Sequence, residues 1–159
     1  MSSLEPQVAE VGRWFSSALE RPCRTMEGQA ISFRYRSRSV VLSFVNGLGG
    51  VESLWICDQN LAVCWAGSLA NFGVQRLREE ARYELLSQEC IGLLDSFMGQ
   101  VELPEKLINN GLCYGGVLVD PGAALSPDVE SILSQPPRRL DCRLSIEGVG
   151  EGRLSILSL

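Results

Sequence analysis

Histidine is absent from the 159 residues. It is the commonest general base and the commonest zinc ligand, so a Ser-His or Cys-His nucleophile is excluded within this chain. Lys106 is the only lysine among fourteen basic residues, and the other thirteen are arginine. An arginine bias suits carboxylates and protein surfaces, because the guanidinium is a planar fork and the ammonium a hydrated point charge; genome composition produces the same bias. No two cysteines have C-x-x-C spacing, so the usual zinc and thioredoxin patterns are missing. No run approaches the roughly 20 apolar residues that cross a bilayer. Met1 to Glu10 is polar and acidic, without the apolar core of a signal peptide.

Six cysteines are present: Cys23, Cys57, Cys64, Cys90, Cys113 and Cys142. An even count allows three disulfides. Several lie inside apolar runs, however, as in Trp55-Ile56-Cys57 and Val63-Cys64-Trp65, where a thiol acts as a small hydrophobe. Reduced, buried thiols are the expectation. The apolar fraction is 45 % and the charged fraction 21 %, which fits one globular domain with a sizeable core. Nineteen acidic residues leave a net charge of −5, the wrong overall field for a nucleic-acid backbone.

Leu4, Val8, Val11, Phe15 and Leu19 recur at helical spacing, with Ser3 as a cap and Arg21-Pro22 as a stop. Ile31, Phe33 and Tyr35 alternate with Ser32, Arg34 and Arg36, the pattern of a half-buried strand over 30–36. Residues 40–45 predict a strand, and Asn46-Gly47-Leu48-Gly49-Gly50 a turn. A phosphate loop needs a helix directly behind its glycines, and here another strand is expected. Residues 54–57 and 61–65 pattern as a tight hairpin across Asp58-Gln59-Asn60. The first half thus predicts an antiparallel sheet of about four strands.

Residues 74–98 give the clearest helical pattern, with Gly99 as its stop. Its charged residues Glu79, Glu80, Glu84 and Glu89 are expected on the exposed face, paired with Arg76, Arg78 and Arg82. Cys90 belongs to the core side, and Trp14, Trp55 and Trp65 pattern as core aromatics. Residues 112–119 predict a strand, Ser126-Pro127-Asp128 opens a short helix, and 140–146 and 153–159 predict a final strand pair around a glycine-rich turn. The fold class is α+β: an antiparallel sheet packed by one long helix and two shorter ones.

No catalytic, cofactor-binding or metal-ligating constellation emerges from this pattern. The candidate partner-binding residues are Arg34, Arg36 and Arg38, which alternate along one strand face, with Arg78 and Arg82 on the long helix. The alternative reading of the first three is a solvated strand face whose charges discourage edge pairing.

One family shares the order of these elements. A Trp-bearing hairpin precedes the helix Leu77-Arg78-Glu79-Glu80-Ala81-Arg82-Tyr83-Glu84-Leu85-Leu86, which runs on through Leu93-Leu94-Asp95-Ser96-Phe97. A short strand and Leu-Ser-Pro-Asp follow, then Pro137-Arg138-Arg139-Leu140-Asp141-Cys142-Arg143-Leu144-Ser145-Ile146 and Gly152-Arg153-Leu154-Ser155-Ile156-Leu157-Ser158-Leu159. Over residues 50–159 this resembles the N-terminal part of the SctQ family, the cytoplasmic-ring proteins of type III secretion, related to the flagellar switch proteins FliM and FliN. The resemblance implies an assembly domain over 1–135. Residues 136–159 would then begin a surface-presentation-of-antigens (SPOA) module, although the chain stops before the family's Gly-Asp turn.

It also implies a non-enzymatic part of the bacterial sorting platform, without a cofactor. Such a part is cytoplasmic and meets the inner membrane only through the secretion apparatus. Its implied partners are a SPOA fragment, the stator-like linker to the ATPase and an adaptor. Two alternatives stay open. A secretion chaperone is also small, acidic and α+β. A phosphatase of the chemotaxis type needs Glu and Asn one turn apart on an exposed helix, and Glu102, Glu105, Asn109 and Asn110 are the nearest approach.

Overall fold

A computed structural model describes residues 5–31, 39–109, 111–118, 126–136 and 138–159. Among them are five helices and six strands: α1 (Glu5–Leu19), β1 (Cys23–Glu27), β2 (Val40–Val45), β3 (Val51–Cys57), α2 (Gln59–Ala70), α3 (Val74–Arg82), α4 (Gln88–Gln100), β4 (Cys113–Leu118), α5 (Pro127–Ser134), β5 (Arg138–Ile146) and β6 (Gly150–Ser158). The strands make one sheet in the order β1-β5-β6-β3-β2-β4, antiparallel at every pairing. Two hairpins, β2–β3 and β5–β6, lie side by side through β3 and β6. The α+β class with an antiparallel sheet is therefore the observed architecture, and residues 138–158 form its second and third strands, between β1 and β3.

Period-2 alternation sorts the side chains between two cores. Leu140, Cys142, Leu144 and Ile146 of β5 join Val40, Leu42 and Phe44 of β2 and Trp55 and Cys57 of β3 on one face. There α1, α2 and α4 cover them. Val41, Leu54, Ile56 and Leu157 face the other way, against Ile31 and against Val129 and Ile132 of α5. Because β2 and β3 are covered on both faces, they read as continuous apolar runs. The main core centres on aromatic rings: Phe15 and Trp65 lie 4.9 Å apart edge-on, Trp14 and Trp55 5.4 Å, and Trp65 and Phe97 5.8 Å. Trp55 and Trp65 are fully buried, and Trp14 packs at the margin.

Two expectations are corrected. The hairpin expected over 54–65 does not form: 54–57 belong to β3, but Leu61–Trp65 lie in α2. Asp58 is an N-cap, its carboxylate accepting from the Leu61 N–H at 2.8 Å, and nearly every residue from Gln59 to Gly67 is buried. A helix buried all round carries no amphipathic period, so its apolar run is indistinguishable from a strand by pattern. The single long helix over 74–98 is two helices. The backbone turns extended at Tyr83, and Ser87 caps α4 by accepting from the Cys90 N–H at 3.2 Å. Gly99 lies inside α4 and does not end it. The strand expected over 30–36 and the cap Ser3 lie outside the described residues apart from Ile31 and its predecessor, and β1 is an additional edge strand.

Candidate interaction surface

α3 carries few apolar residues, and its position is set by close approach and by polar contacts. A Cβ on Gly67 of α2 would meet Leu77 Cδ2 at 2.5 Å, so the glycine lets α3 lie directly on α2. Gln59, at the start of α2, spends both amide hydrogens on the end of α3: Nε2 donates to Glu80 O at 3.0 Å and to Tyr83 O at 2.8 Å. Glu80 is buried, contrary to the expected exposed face. Its carboxylate accepts from the Cys90 thiol of α4 at 3.6 Å and forms an ion pair with Arg76 at 3.6 Å. Arg76 also pairs with Glu89 of α4 and lies over the Phe72 ring. One polar junction thus ties α2, α3 and α4.

The outward side of α3 is different. The side chains of Arg78 and Arg82 are exposed and form no ion pair or hydrogen bond with the described residues. Val74, Tyr83 and Leu85 beside them are exposed as well. Arginine among exposed aromatic and aliphatic side chains is the composition of protein contact surfaces.

Arg34, Arg36 and Arg38 lie outside the described residues. The backbone leading towards them is anchored across β5 and β6. Ile31 N–H donates to Ser155 Oγ at 3.1 Å, Ser155 donates to Asp141 Oδ1 at 2.5 Å, and Arg139 bonds both Asp141 and the Ile31 carbonyl, the latter at 2.9 Å.

The chemistry available elsewhere is limited. Glu102, Glu105 and Asn109 lie in irregular chain, Asn110 lies outside the described residues, and no described helix carries Glu and Asn one turn apart. No described group of three or more Cys, Asp or Glu is placed to hold a metal ion. Burial raises the Cys64 thiol to about 11 and the Cys142 thiol to about 12, with nearby Asp58 and Asp141 adding to the shift; burial raises Cys57, Cys90 and Cys23 too. These thiols stay protonated at neutral pH and are poor nucleophiles. The cysteines are unpaired, with Cys113 exposed. Asn46–Gly50 forms a hairpin turn with β3 behind it, so no helix N-terminus awaits a phosphate there. No described helix is long and apolar enough to cross a membrane.

Gln59, Glu80, Asp141 and Ser155 were invisible as a group in the sequence. Glu80 alone left a trace, since it follows Leu77 by three residues on the inward stripe.

No family model matches the chain, and no curated protein matches it. Solved structures do. The chain is similar to FliY from Thermotoga maritima, with a TM-score of 0.55 and 16 % identity over 95 % of this chain and 83 % of that one. It is similar to the FliM middle domain from H. pylori, with a TM-score of 0.51 and 9 % identity over 96 % and 85 %. At these identities the likeness is one of fold, and it extends over nearly the whole length of this chain.

Proposed function

We propose that this chain is a non-enzymatic, protein-binding component of a bacterial cytoplasmic ring, of the sorting-platform kind that serves type III secretion. The observation that carries the proposal is the flagellar-switch middle-domain fold, shared over nearly the whole chain with FliY and FliM. The order of sequence elements that resembles the SctQ family supports the secretion assignment. The partners are a SPOA fragment, the stator-like linker to the ATPase and an adaptor, met in the cytoplasm. Binding uses surface complementarity and breaks no bond. Arg78 and Arg82, unpaired on a helix fixed by its polar junction, supply the anchors, and Arg34, Arg36 and Arg38, outside the described residues, are further candidates from the sequence.

Light scattering of the purified chain, alone and with a purified SPOA fragment, tests the assignment. A complex of defined stoichiometry, weakened at least tenfold by Arg78→Glu with Arg82→Glu, is expected. No complex with the fragment would overturn the platform role, and binding unaffected by the double substitution would overturn the α3 surface. The chaperone alternative predicts instead a stable dimer that holds an unfolded secreted segment. The phosphatase alternative lacks its Glu–Asn pair on the described helices.

A further inference from the structure

Two arginines stand directly opposite one another in the β5–β6 pair. Arg143 and Arg153 are register partners, so their Cβ atoms lie about 5 Å apart on one face of the sheet. Like charges so placed are destabilising unless an anion compensates them. Of the two, only Arg153 has an ion-pair partner, Asp58 Oδ2 at 3.4 Å, and the other oxygen of that carboxylate is taken by the Leu61 N–H. Arg143 is exposed, and its side chain forms no ion pair or hydrogen bond with the described residues. Arg24 of β1 is likewise exposed and unpaired among them. It stands opposite Ser145 and therefore diagonal to Arg143, a separation of about 7–8 Å.

These arginines share the face turned away from α1, α2 and α4. Cys142, Leu144 and Leu154, which alternate with them, lie in the core under those helices. Thr25, between Arg24 and Met26, bonds the Val8 carbonyl of α1. On the arginine side, Ile31 and α5 cover Ser155, Leu54, Ile56 and Leu157. The end nearest the β5–β6 turn is open, and there Met26, opposite Arg143, is 60 % exposed. Glu151, opposite Ser145, is the acidic strand residue of this open end, and it forms no ion pair with the described residues. Three arginines against one free carboxylate make the patch positive on a chain whose net charge is −5.

We propose that this open face binds an acidic segment of a partner protein, whose Asp or Glu carboxylates bridge Arg143 to Arg24 and Arg153 while an apolar side chain covers Met26. A carboxylate accepts two N–H donors from a guanidinium fork, and one placed between opposed arginines replaces their repulsion by attraction. Met26 favours a protein segment over a bare phosphate, because it offers apolar surface at the centre of the patch. A nucleic-acid backbone runs beyond the patch and meets the acidic remainder of the chain, whereas a short acidic segment does not. The surface is separate from α3, which packs on α2 at the opposite side of the sheet, and it does not depend on the secretion assignment.

Fluorescence anisotropy of a labelled synthetic peptide, with four glutamates flanking a central leucine, tests the surface on the full chain at low ionic strength. Binding is expected, with at least tenfold loss when the peptide's glutamates are replaced by glutamine. Arg24→Gln with Arg143→Gln is expected to weaken it at least tenfold with unchanged circular dichroism, and Arg78→Glu with Arg82→Glu to leave it unchanged. Thermal unfolding separates a binding role from a structural one. Arg143→Thr removes the opposed charge, so it is expected to raise the Tm of the free protein by about 1–3 °C and to abolish the further rise that the peptide gives the wild type. A wild type that does not bind the glutamate peptide, binding that survives the Arg24 and Arg143 substitutions, an Arg143→Thr variant less stable than wild type, or tighter binding of a DNA duplex than of the peptide overturns the proposal.

Discussion

Replacing Gly152 by alanine should loosen the seat of α2 on the sheet. Gly152 lies in β6, buried beneath the start of α2. A Cβ built there would collide with the Leu61 backbone nitrogen, and would lie 2.6 Å from both Leu61 Cα and the Asp58 carboxylate. These atoms are backbone or a committed cap, so no flexible side chain can move aside. Overpacking costs about 1–3 kcal/mol, and displacing the Asp58 cap adds about 1 kcal/mol, for an expected loss of about 2–4 kcal/mol. Natural domains have about 5–15 kcal/mol in total, so the effect is large. Urea denaturation followed by circular dichroism measures it, with an unchanged m-value marking a true stability change. Asp58→Ala alone isolates the cap, at about 1 kcal/mol. Gly92→Ala and Gly99→Ala are the controls: both glycines are exposed in α4 with nothing near the would-be Cβ, so each should stabilise by about 0.5–1 kcal/mol. A Gly152→Ala cost below about 0.5 kcal/mol would refute the close-packing argument.

Two further outcomes follow from buried groups. Ser155→Ala leaves the Ile31 N–H without its acceptor and should cost about 1–3 kcal/mol, with faster hydrogen exchange at Ile31; unchanged exchange would show that Arg139 alone holds the segment. Stability should fall at alkaline pH. An unfolded cysteine loses its proton near pH 9, whereas folded Cys64 and Cys142 keep theirs to about 11 and about 12. Over that window the unfolded state sheds protons that the folded state retains, so stability declines as pH rises, by at most about 1.4 kcal/mol per pH unit for each thiol. A Cys64→Ala variant with the same slope from pH 9 to 11 would contradict the assignment of Cys64 to this loss.

Most of the sheet is legible in the sequence because its strands alternate or end in recognisable turns. β5 shows its period in Leu140, Cys142, Leu144 and Ile146, and the glycines at 148 and 150 mark the turn into β6. Likewise α5 is announced by Ser126-Pro127-Asp128, and Ser126 caps it. Legibility fails where burial removes the period. α2 is apolar on every side, and only the Asp58 cap distinguishes it from a strand. The break between α3 and α4 fails for another reason: Ser87 competes as a cap against helix continuation, and tertiary contacts decide which wins. The candidate surface is half legible. Arg78 and Arg82 follow from helical spacing, but the sequence does not show that Arg76 alone of the three arginines takes Glu80 and Glu89.

That division of partners bears on how α3 can act as a contact surface. Its inward side offers only Leu77 and Ala81 as apolar contacts, too little burial to fix the rotation of a nine-residue helix. The rotation is set by two hydrogen bonds from Gln59 to the last carbonyls and one from the Cys90 thiol to the Glu80 carboxylate, with the Arg76–Glu80 ion pair beside them. Buried polar groups are a costly way to gain stability and an effective way to gain a unique arrangement, because any slip leaves donors and acceptors unpaired in a dry site. A purely apolar underside would allow α3 to turn among similar packings and would scatter Arg78 and Arg82. The polar junction keeps the backbone that bears both arginines fixed above the α2–α4 layer, which would lower the ordering cost of the contact proposed for them.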